Sequence, residues 1–193
     1  MVVNDATGKP RAMVGVTPDG SEVWVGSNDL GIVSVIDTGS GEVTQALEGF
    51  GWPYRVVFSE DGETVLLPDL RGNELRIVDV DSRQERARVS FPDAGPQSVV
   101  FSADGRYAFQ SLSQQDRVAV IDLESGAVIG YLPAGYRPDG LYRCRGEKFQ
   151  WIITADRAYE AGGALRSRRL PGAGAECAPR SRRRRAARGS GGA

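Results

Sequence analysis

Histidine is missing from all 193 residues. A histidine general base, a His-ligated haem and a His-ligated metal are therefore impossible within this chain. Cysteine is nearly as scarce: there are two, Cys144 and Cys177, and their spacing suits neither a zinc site nor a disulfide framework. No apolar run approaches the roughly 18 residues of a membrane-spanning helix. Met1 to Pro10 lacks the basic start and apolar block of a signal peptide, so the expectation is a cytoplasmic protein or a chain whose true start is missing. No Gly-rich loop opens a helix, which leaves phosphate cradling without support. Helical periodicity is absent as well.

Net charge is close to zero, −1, but unevenly spread. Residues 1–140 carry 21 acidic and 11 basic side chains; residues 141–193 carry 4 and 13. The second part is Gly, Ala, Arg and Pro from Ala161 onward, with Arg182-Arg183-Arg184-Arg185 near its end. Such composition cannot bury enough apolar surface to order a backbone. Its basic charge would attract nucleic acid without specificity, since no aromatic residue follows Tyr159.

What the chain does have is a repeat. Asp19-Gly20, Asp61-Gly62 and Asp104-Gly105 are one turn written three times, 42 and 43 residues apart. A proline precedes each turn (Pro10, Pro53, Pro96), and Pro138 stands where a fourth would begin. Ile36-Asp37, Val78-Asp79 and Ile121-Asp122 follow the turns at the same period. Each unit reads as four short strands separated by turn residues. In the first these are Ala12 to Thr17, Glu22 to Ser27, Ile32 to Asp37 and Glu42 to Glu48; in the second, the opening strand is Arg55 to Ser59. Third strands alternate, with Val33/Val35, Leu75/Ile77 and Val118/Val120 on one face. Four strands in about 42 residues predict the blades of a β-propeller. The units fall near 10–52, 53–95 and 96–137, with a partial fourth at 138–156 and a basic, low-complexity, disordered tail at 157–193.

Trp24-Val25-Gly26-Ser27, Leu66-Leu67-Pro68-Asp69 and Phe109-Gln110-Ser111-Leu112 occupy the slot of a Tyr-Val-Thr-Asn tetrapeptide. With Pro, Asp-Gly and Ile/Val-Asp around it, the pattern resembles the YVTN family of β-propeller repeats over residues 10–140. That resemblance implies a propeller like those of lactonase-like, surface-layer and periplasmic redox-helper proteins, working outside the cytoplasm. It implies too that three units and a partial fourth are an incomplete, open propeller, a fragment whose tail is either native or the product of a shifted reading frame. Terminal blades of an open arc expose their faces, with side chains like Val33, Val35, Val118 and Val120, and favour self-association.

The turn carboxylates Asp19, Asp61, Asp104, Asp37, Asp79 and Asp122 read as turn chemistry and not as metal ligands. The binding site of a propeller is expected at the end of the blades that carries the crossing loops. Those loops contribute Trp52, Tyr54, Arg55, Tyr136 and Arg137; the loops after the second strands contribute Asn28, Asp29, Asp69, Arg71, Gln114 and Asp116. Aromatic, guanidinium and amide groups of this kind hold a polar ligand or a partner loop. No catalytic constellation, metal site or cofactor site is expected. The function expected is a non-catalytic binding or scaffold module for a protein or small polar ligand. The alternative is a fragment of a lactonase-like or redox-associated propeller enzyme whose catalytic residues lie outside this chain.

Overall fold

The structure, a computed structural model, describes residues 12–141. Among the described residues there are twelve strands in three four-stranded antiparallel sheets, each a simple up-and-down meander. Blade 1 holds β1 (Ala12–Val16), β2 (Glu22–Ser27), β3 (Ile32–Asp37) and β4 (Val43–Leu47). Blade 2 holds β5 (Val57–Phe58), β6 (Thr64–Asp69), β7 (Glu74–Asp79) and β8 (Glu85–Ser90). Blade 3 holds β9 (Pro96–Phe101), β10 (Tyr107–Leu112), β11 (Arg117–Asp122) and β12 (Ala127–Pro133). The all-β, blade-like architecture expected from the repeat is therefore the one observed. No sheet among the described residues joins the two ends of the chain, and no helix there is long and apolar enough to cross a membrane. Both cysteines, the basic tail and most of the partial fourth unit lie outside the described residues.

Strand order places two kinds of loop at opposite ends. The Asp-Gly turns and the loops after β3, β7 and β11 share one, the turn end. The loops after β2, β6 and β10 share the other, the loop end, with the crossings from blade to blade. Backbone bonds tie each crossing to the neighbouring loops there: Phe50 N–H donates to Gly31 C=O at 3.0 Å, and Leu70 N–H to Trp52 C=O at 3.0 Å. Gly31 is required at this junction. Its φ is +65°, and a Cβ would lie 2.2 Å from the Phe50 carbonyl oxygen.

Two cores fill the spaces between blades. Trp24, Val33, Val35 and Phe50 of blade 1 meet Val65, Leu67 and Val78 of blade 2. Leu66, Leu75 and Ile77 on the other side of blade 2 meet Val99, Ala108, Ala119 and Ile121 of blade 3. The middle blade is thus buried on both faces, which is why β6 reads as a nearly continuous apolar run where a one-sided strand would alternate. Gly15 lets the first strands approach, since a Cβ there would sit 2.6 Å from a Val56 methyl.

Two expectations need correction. Val33 and Val35 are wholly buried because their face meets blade 2, and Val118 is buried as well, leaving only Val120 half-exposed. The uncovered side of blade 1 is the opposite one and carries Val14, Val16 and Val43, 51%, 53% and 61% exposed. The opening strand of blade 2 is also shorter than expected, two residues, Val57–Phe58. Pro68 opposite has no N–H to extend that ladder. Only its carbonyl is used, accepting Tyr54 N–H at 2.8 Å, with an isolated bridge between Pro53 and Asp69 beyond it. The ladder of blade 3 is irregular at the equivalent Ser111.

Candidate functional site at the loop end

The expected site residues lie at this end, where they fall into three groups. In the first, the crossing from blade 1 to blade 2 presents Trp52. The Arg71 guanidinium stacks over its ring, 4.1 Å from centroid. With the Asn28 amide oriented as its neighbours' hydrogen bonding requires, its oxygen accepts the indole N–H at 3.0 Å and its nitrogen donates to Pro53 C=O at 2.6 Å. Asp69 lies beneath. It is fully buried and accepts the N–H groups of Gly51, Trp52 and Gly72 at 2.6, 2.7 and 2.8 Å. It therefore holds the loop that carries Trp52 and does not face solvent. Asp29 is exposed on the loop after β2.

In the second group, Tyr54 and Arg55 open blade 2. The Tyr54 hydroxyl donates to Asp139 at 3.2 Å, and the Arg55 guanidinium lies 4.0 Å from the same carboxylate. Arg55 also stacks against Tyr54, 5.0 Å from the ring centroid, and reaches the Met13 sulfur at 3.3 Å. Partial burial pushes the Tyr54 phenol above its ordinary range, and the negative charge of Asp139 adds to the rise. Asp139 was not among the residues expected. The available signal was register: Tyr54, Gln97 and Asp139 each follow a repeat proline. Met13 carried no such signal.

The third group is the crossing after blade 3. Asp116 accepts Arg137 N–H at 2.8 Å through its carboxylate and Ala134 N–H at 3.0 Å through its carbonyl. Tyr136 is 63% exposed on the same crossing. The Gln114 side chain is exposed, while its N–H donates to Ala94 C=O at 2.9 Å. These groups offer stacking and hydrogen bonding. Among the described residues no three His, Cys, Asp or Glu side chains are grouped so as to hold a metal ion.

Comparison with known proteins bears on the fold. No family model matches the sequence, and no curated protein matches it. By structure, 1095 solved chains match, so the architecture is too widespread to point to one chemistry. Hydrazine synthase from Kuenenia stuttgartiensis matches with a TM-score of 0.61 at 21% identity. The match covers 65% of this chain and 36% of that one. A likeness at that identity shows the fold alone.

Proposed function

We propose that this chain is a propeller binding module of the YVTN-repeat kind, which takes a protein loop or a small polar ligand at its loop end. The support is the convergence of Tyr54 and Arg55 on Asp139, which lies 85 and 84 residues further along the sequence. It joins the start of blade 2 to the segment after blade 3 in one patch of aromatic, cationic and anionic groups. Trp52 with Arg71 adds a second stacking surface at the same end. Aromatic and Arg side chains are the types that dominate binding energy in interfaces.

The test compares three immobilised full-length proteins exposed to one cell extract: wild type, Trp52→Ala with Arg71→Ala, and a turn-end control, Glu124→Gln. A partner or metabolite retained by wild type and control but lost by the loop-end variant is the expected result. Equal retention by all three would overturn the proposal.

A further inference from the structure

No further inference is drawn: the strongest candidate, the apolar sheet face of blade 1 that leaves Val14, Val16 and Val43 in solvent, is an unpartnered face, and nothing in the structure shows what covers it.

Discussion

Arg83 sits at a φ of +62°, where its repeat neighbours Gly41 and Gly126 have +77° and +67°. An L side chain is strained there by roughly 1 kcal/mol or more. Contacts with Glu22 and Trp24 hold it in place. Substitution should thus reverse the usual order of residues. Arg83→Ala keeps the strain and loses the contacts, whereas Arg83→Gly loses both, so the glycine variant should be the more stable by about 1 kcal/mol in urea denaturation. Alanine equal to or better than glycine would remove strain from the account. Asp69 poses a different case. Its buried carboxylate answers three backbone N–H groups, and Asp69→Ala would orphan all of them at a cost of about 3 kcal/mol or more. A loss under about 0.5 kcal/mol would show that the crossing loop keeps its shape unaided.

The acid sensitivity of the fold is expected to lie in its turns. Asp19, Asp37, Asp61, Asp79, Asp104 and Asp122 all have carboxyl groups held below their ordinary range by neighbouring hydroxyl and backbone N–H donors. Asp19 falls to about 2, chiefly through Thr17, then Ser21. A carboxylate with a depressed folded-state pKa stabilises the fold above its unfolded pKa, about 4, and loses that effect as pH falls through the folded value. The thermal midpoint should accordingly be flat from neutral pH to about 4 and drop steeply towards pH 2. Asp61→Asn should flatten the drop and lower the plateau. A midpoint insensitive to acid in the wild type would rule the turn carboxylates out as its source. The strand ladders add a second regularity: each third strand has a bulge against its fourth strand at one repeat position, Val35/Ile36, Ile77/Val78 and Val120/Ile121. A bulge increases local twist, so the outer edge of every blade bends alike.

At the scale of the molecule, stacking of blades decides what is buried. Blade 2 has a neighbour on each side, while blade 1 leaves Val14, Val16 and Val43 in solvent. Apolar β-branched side chains on one uncovered sheet face favour association. Light scattering should rise with protein concentration, and Val14→Thr with Val16→Thr should reduce that rise with little change in thermal midpoint. Scattering unaffected by the two substitutions would place any association elsewhere.

Sequence alone determined the period, the turns, the order of strands within each blade and the two ends at which loops collect. All of these follow from interactions spanning fewer than about 45 residues, and a repeat writes them three times. It also foretold that the turn aspartates serve their turns, because Asp-Gly and Asp-x-x-Ser are local hydrogen-bonding units. Only tertiary structure decided which neighbour each face meets. Val33 and Val35 are indistinguishable in pattern from an exposed apolar stripe until blade 2 lies against them. The same holds at the loop end, where Tyr54 and Arg55 were legible as candidates but their partner Asp139 was not. Both outcomes are set by packing between units and not by the order of residues within one.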